Sequence, residues 1–104
     1  MAAPFFSVVI PTYNRSDALL RCLDALSRQS IEMDQFEVIV VVDGSTDGTV
    51  AKLTSGKFPY DVRCLEIGNG GAGHARNEGA KLARGEYIAF TEDDVIPDAG
   101  WLSN

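Results

Sequence analysis

Three observations predict an α/β fold with a mainly parallel sheet and helices on both faces. Apolar, β-branched runs alternate with helical patterns in the order β-α-β-α-β-α-β, which favours parallel strands joined by right-handed crossovers. The second run, Phe36 to Val42, is apolar at nearly every position, as in a strand covered on both faces. Two of the runs pass directly into acidic turns, Val42-Asp43-Gly44-Ser45-Thr46-Asp47 and Glu92-Asp93-Asp94. Together these define a Rossmann-like arrangement whose loops carry the chemistry.

Taken in order, Phe5-Phe6-Ser7-Val8-Val9-Ile10 reads as the first strand and Pro11-Thr12-Tyr13-Asn14 as the loop that ends it. Ser16 or Asp17 caps a helix in which Leu19, Leu20, Leu23 and Leu26 recur at helical spacing through about Gln29. Phe36 to Val42 is the second strand, and its acidic turn leads into a short helix around Thr49 to Ser55. Asp61 to Ile67 is the third strand. A glycine cluster, Gly68-Asn69-Gly70-Gly71-Ala72-Gly73, then opens a helix from about His74 to Ala83, with Gly85 where a C-cap glycine belongs. Glu86 to Phe90 is the fourth strand, and Pro97-Asp98-Ala99-Gly100-Trp101-Leu102 starts a further helix. In this topology the four βα loops, Thr12 to Asn14, Asp43 to Asp47, Gly70 to Gly73 and Glu92 to Asp94, meet at the carboxyl edge of the sheet, where open α/β sheets bind ligands.

The totals narrow the field. A length of 104 residues is one domain at most, or part of one. An apolar share of 45% and a charged share of 23% are those of an ordinary globular protein. No apolar run spans a bilayer, and Met1-Ala2-Ala3-Pro4 lacks the basic region of a signal peptide, so the expectation is a cytoplasmic protein, or one at the inner face of the membrane at full length. Cys22 and Cys64 lack metal or redox spacing and read as two buried thiols. The net charge of −6, with fifteen acidic and nine basic residues, argues against a nucleic-acid partner. An anionic small ligand would need local help, from a cation or a helix N-terminus.

The candidate residues each have two readings. Tyr13 either lays its ring and hydroxyl against a base or ribose or is partly buried beside a helix that Asn14 caps. Asp43 closes an apolar strand and needs a partner, either a nucleobase or ribose donor or its own turn backbone. Asp47 reads as a helix cap. Gly71-Ala72-Gly73-His74-Ala75-Arg76 departs from the dinucleotide fingerprint at Arg76, yet close backbone approach at Gly73 and an Arg one turn in would suit a phosphate or ribose. Arg76 alternatively pairs with Asp43 or Asp93. His74, the only histidine, has no ligand partners nearby in sequence. Clustered carboxylates at Glu92-Asp93-Asp94 repel one another unless a cation joins them, which points to a divalent metal, Mn²⁺ or Mg²⁺, bridging to the phosphates of a nucleotide diphosphate.

The segments Ser7-Val8-Val9-Ile10-Pro11-Thr12-Tyr13-Asn14, Val42-Asp43-Gly44-Ser45-Thr46-Asp47-Gly48-Thr49, Gly73-His74-Ala75-Arg76-Asn77-Glu78-Gly79-Ala80 and Phe90-Thr91-Glu92-Asp93-Asp94-Val95-Ile96-Pro97-Asp98 resemble, in order and spacing, the signatures of family 2 glycosyltransferases. The resemblance runs from Phe5 to Leu102. It implies the nucleotide-binding half of a GT-A fold, a UDP-, GDP- or dTDP-sugar donor, a divalent cation, and inverting transfer to an acceptor hydroxyl. By that resemblance Pro11, Thr12, Tyr13 and Asn14 line the nucleoside pocket. Asp43 holds the base or ribose, and Gly73, Arg76, Glu92 and Asp93 border the nucleotide-sugar. Asp94, with Glu92, binds metal as the D-x-D element. Two departures stand out: Val42 replaces the first of two adjacent aspartates, and the D-x-D element reads Glu92-x-Asp94. The family's general base and acceptor site follow this element, so residues 1–104 are expected to be a single partial domain that binds donor without efficient transfer. The strand edges left bare imply a dimer or larger oligomer. A sugar nucleotidyltransferase, a receiver-like acidic metal-binding module and a dinucleotide-binding module are the rival readings. The first is weakened by Pro11-Thr12-Tyr13-Asn14-Arg15, which is not a glycine-rich basic loop.

Overall fold

The computed structural model describes residues 3–68 and 70–103; Met1, Ala2, Asn104 and Asn69 of the glycine cluster lie outside them. Four strands, β1 (Phe6–Thr12), β2 (Phe36–Asp43), β3 (Asp61–Ile67) and β4 (Tyr87–Phe90), form one sheet in the order β3-β2-β1-β4. Every pairing is parallel. Helices α1 (Ser16–Leu26), α2 (Thr49–Ser55) and α3 (Gly71–Leu82) make the crossovers, with a 3-10 turn at Met33–Gln35 before β2.

Burial explains the order. All eight residues of β2 are buried. Val8, Ile10, Val38, Val40 and Val42 face one way and pack with Leu19, Cys22, Leu23 and Leu26 of α1 and Leu53 of α2. Val9, Ile39 and Val41 face the other way and pack with Ala75 of α3. Helices therefore cover both faces, and the continuous apolar run of β2 reflects its two-sided burial. On the second face α3 comes unusually close. A Cβ placed on Gly79 would lie 2.5 Å from Val9 Cγ1 and 2.9 Å from Val41 Cγ2, so only glycine fits there.

The first strand runs two residues further than the sequence suggests, through Pro11. The Val9 carbonyl accepts from Thr91 N–H at 3.2 Å, so by alternation the absent N–H of Pro11 faces the β4 side. There β4 has already ended at Phe90, opposite Val9, and no ladder bond is lost.

Several local expectations change for identifiable reasons. Neither Ser16 nor Asp17 caps α1; the Ser16 N–H donates to Asp47 Oδ2 at 3.1 Å, and Asp47 Oδ1 accepts from Thr49 N–H at 3.2 Å. One carboxylate thus serves two helix starts, a favourable position for an anion. Bonds from the Thr49 hydroxyl and from these backbone groups hold the Asp47 carboxyl below its usual range. Helix α3 begins at Gly71, three residues before His74, because Asp43 satisfies the glycine N–H groups there. Gly85 is not a C-cap: α3 ends at Leu82, and Gly85 lets the chain pass against β1, where a Cβ would lie 2.7 Å from the Phe6 carbonyl carbon. The segment from Pro97 to Leu102 forms turns rather than a helix. Its backbone is held by Gln29, whose Nε2 donates to the Asp98 carbonyl at 2.7 Å and whose Oε1 accepts from Leu102 N–H at 3.0 Å. Cys22 is buried, but Cys64 is only half-buried.

At the amino end of the sheet lies a buried charge absent from the sequence reading. Glu37 is fully buried in β2. Its carboxylate accepts from Ser7 Oγ at 2.6 Å, Arg63 Nη2 at 2.8 Å, Arg84 N–H at 2.7 Å and Arg84 Nη2 at 2.9 Å. Gly85 N–H in turn donates to Ser7 Oγ at 2.8 Å. This network ties the α3–β4 connection to β1 and β2, and so sets where β4 begins.

The outer edge of β4 is bare among the described residues, with Tyr87, Ile88 and Phe90 exposed. Among the described residues no helix is long and apolar enough to cross a membrane.

Candidate functional site

Strand order reverses between β1 and β4: the chain steps outward from β1 through β2 to β3, then returns to the other side of β1. A crevice at the carboxyl ends of such strands is where open α/β sheets take ligands. A cleft of about 420 Å³ opens there, lined from the end of β1 by Pro11 and Thr12, from the loop after it by Tyr13 and Arg15, from β2 by Asp43, from α3 by Ala72 and Arg76, and from the turn after β4 by Glu92, Asp93 and Asp94.

The acidic turn is divided in role. Asp93 is buried and its Oδ2 accepts from Thr12 Oγ1 at 2.8 Å, so this carboxylate fastens the turn after β4 to the end of β1. Asp94 is half-exposed and faces solvent in the cleft. Arg15 Nη1 lies 3.5 Å from Asp93 Oδ1 and 3.4 Å from Asp94 Oδ2. Glu92 is exposed, and its carbonyl lies 3.8 Å from Cys22 Sγ. Burial, with the charges of Asp93 and Asp94, pushes the Cys22 thiol up to about 11, so at neutral pH this core residue behind the acidic turn is uncharged rather than a nucleophile.

Asp43 is nearly buried, and its two oxygens accept from Gly70 N–H at 2.8 Å and Gly71 N–H at 2.9 Å. It therefore shapes the glycine segment that begins α3. A carboxylate has about four acceptor positions, so the ligand side of Asp43 retains capacity for another donor. Tyr13 is 55% exposed, its ring free to receive a planar group. Arg76 lines the cleft half-buried and makes no ion pair among the described residues, so the pairing with Asp43 or Asp93 raised by the sequence does not form.

Two residues expected at the site stand back from it. Asn14, at φ +50°, turns its side chain onto the neighbouring loop: Oδ1 accepts from Thr46 N–H at 2.7 Å, while Asn14 N–H donates to Ser45 Oγ at 2.9 Å. Gly73 lies inside α3 rather than on the lining. His74 Nε2 lies 3.9 Å from Glu78 Oε1 on the same helix. Ala72 reaches the lining from the Gly70 to Gly73 loop of the sequence reading, whereas Arg15 was missed; its signal was a basic residue three positions after Thr12, on the loop facing the acidic turn.

The donors in the cleft are hard carboxylate oxygens, but no group of three or more ligating side chains is assembled among the described residues. One or two carboxylates suffice for Mg²⁺ or Mn²⁺ when phosphate oxygens and water complete the shell, so the chemistry of Glu92 and Asp94 is compatible with such an ion. A larger cavity of about 580 Å³, beside α2 and β3, is walled by Leu53, Phe58 and Tyr60 and brings no set of carboxylates together.

A parallel sheet with a polar cleft at its switch point defines an open α/β domain of the kind that takes ligands at its carboxyl edge. The chain belongs to glycosyl transferase family 2, whose family model matches residues 7–104. It is 41% identical over 91 residues to a poly(ribitol-phosphate) beta-glucosyltransferase from Bacillus spizizenii, a match covering 85% of this chain and 14% of that protein. The structure of Staphylococcus aureus TarS 1-349 in complex with UDP-GlcNAc superposes with a TM-score of 0.87 at 33% identity, covering 94% of this chain and 29% of that one. The mannosyltransferase PcManGT from Pyrobaculum calidifontis, in complex with GDP-Man and Mn²⁺, superposes with a TM-score of 0.86 at 30% identity, covering all of this chain and 32% of that one. These neighbours have the GT-A fold, and the chain spans about a third or less of the length of these three proteins.

Proposed function

We propose that residues 5–102 form the donor-binding part of an inverting, metal-dependent glycosyltransferase that moves a sugar from a nucleotide-diphosphate-sugar to an acceptor hydroxyl. The observation that carries this reading is the convergence of Tyr13, Asp43, Arg76 and the 92–94 acidic turn on one cleft at the β1/β4 switch point. The UDP-GlcNAc and GDP-Man bound by structural neighbours support a nucleotide-sugar as the ligand, and the Mn²⁺ in one of them supports a divalent cation.

In this reading Tyr13 packs on the base or ribose, and Asp43 accepts from a base or ribose donor while holding the glycine segment in place. Arg76, free of carboxylate partners among the described residues, pairs with the diphosphate, a task suited to a planar guanidinium. Asp94, with Glu92, would hold the cation, which supplies charge stabilisation for the departing diphosphate. Asp93 and Thr12 position that turn. The buried, protonated Cys22 takes no part in proton transfer, and the general base and acceptor contacts come from outside this region.

Calorimetric titration with UDP, GDP, dTDP and CDP, each with Mn²⁺ and with EDTA, tests the proposal. One nucleotide is expected to bind with Mn²⁺ dependence, and Asp94→Ala is expected to remove that dependence while leaving the thermal midpoint within a few degrees, because the side chain is half-exposed. Equal binding with and without metal in the parent chain would contradict the metal role.

A further inference from the structure

The two arginines of the cleft are in opposite states. Arg76 has no carboxylate partner among the described residues, whereas the Arg15 guanidinium lies within 3.5 Å of both Asp93 and Asp94. For Asp94, Arg15 is the one side-chain partner among the described residues. For Asp93 it is the second, because the other oxygen is held by Thr12. Arg15 occupies the position just before α1, its carbonyl accepting from Leu19 N–H at 2.9 Å, so its backbone is fixed while its side chain, 58% exposed, can swing.

We propose that Arg15 is a built-in counter-ion for the acidic turn, competing with a divalent cation for Asp94 so that metal is captured tightly only together with a nucleoside diphosphate. The inference rests on the donor-site reading above and adds the order in which the ligands are taken. A guanidinium stays charged throughout the working pH range, so protonation cannot release the carboxylates. What can release them is a stronger anion for Arg15 itself. A diphosphate entering the cleft offers two phosphate groups to a guanidinium that prefers such planar, two-point contacts. As Arg15 turns to the phosphates, Asp94 is freed for the metal at the moment when phosphate oxygens arrive to complete its shell. Release of metal with the product would follow by the same linkage.

Mn²⁺ alone, titrated without nucleotide and followed by the electron paramagnetic resonance signal of the free ion, tests the competition directly. Arg15→Ala and Arg15→Gln are each expected to bind Mn²⁺ about five- to tenfold more tightly than the parent chain, the range for removing one partly solvated competing charge. Arg15→Lys, which keeps the charge, is expected to stay near the parent. Adding UDP or GDP should raise the Mn²⁺ affinity of the parent more than that of Arg15→Ala, by the same factor. Equal or weaker Mn²⁺ affinity in the alanine and glutamine variants, with thermal midpoints showing them folded, would overturn the proposal. Failure of every nucleotide to alter Mn²⁺ binding in the parent would instead count against the donor site, while the nucleotide-free comparison still decides the role of Arg15.

Discussion

Glu37→Ala is expected to destabilise the domain by about 3–5 kcal/mol, the cost of breaking a buried ion pair from one side. The carboxylate has no exposure, and its removal strands Arg63, Arg84 and the Arg84 N–H around a cavity. Arg63 is already poorly served, since its buried Nε has no partner. Against a typical total of about 5–15 kcal/mol such a loss is a large fraction. Burial pushes the Glu37 carboxyl up, but bonds from Ser7 and from the Arg84 N–H and guanidinium, with the charge of Arg63, hold it below the usual carboxylate value. A folded-state value depressed in this way means that the stabilisation is fully present above the unfolded value of about 4.3 and is lost as pH falls through the folded value. Urea unfolding should therefore show a wide gap between Glu37→Ala and the parent at neutral pH and a gap that narrows in acid below the carboxylate range. A gap independent of pH would mean that packing, not charge, explains the site.

Gly79→Val should cost about 3 kcal/mol, the upper part of the range for overpacking a close interface, with part of it offset by the better helix propensity of a non-glycine residue. The Cβ alone would overlap Val9 and Val41, so α3 must lift from the sheet. Because α3 carries Ala72 and Arg76 into the cleft, and its first residues are held by Asp43, the same displacement should weaken nucleotide binding at temperatures where the variant remains folded. A midpoint urea shift without any change in nucleotide affinity would show that the helix accommodates the methyl groups without moving the site.

Much of this was legible in the residues. The apolar run of β2 and the acidic turns gave a parallel sheet and its loop edge, because burial on both faces and the need of carboxylates for partners leave plain marks in a sequence. What stayed hidden depended on contacts between distant segments. Asp47 capping α1 from another loop, Gln29 satisfying the backbone of 98–102, and Gly85 making a close approach rather than a helix end all arise from pairs far apart in the chain. Glu37 was invisible for the same reason: a single acid in an apolar strand resembles a tolerated exception until Ser7, Arg63 and Arg84 are seen around it. Within the site, the sequence grouped Glu92, Asp93 and Asp94 as equals. The fold separates a buried anchor on Thr12 from a half-exposed carboxylate under Arg15.

The central claim is that the nucleotide sits at the β1/β4 crevice. The direct measurement is a two-dimensional amide NMR titration of the chain with UDP and then GDP in Mg²⁺. The amides that move should be those of Thr12, Tyr13, Gly70 to Arg76 and Glu92 to Asp94, converging on one cleft from three loops. Shifts confined instead to Lys57, Phe58 and Tyr60, at the larger cavity beside α2 and β3, would contradict it.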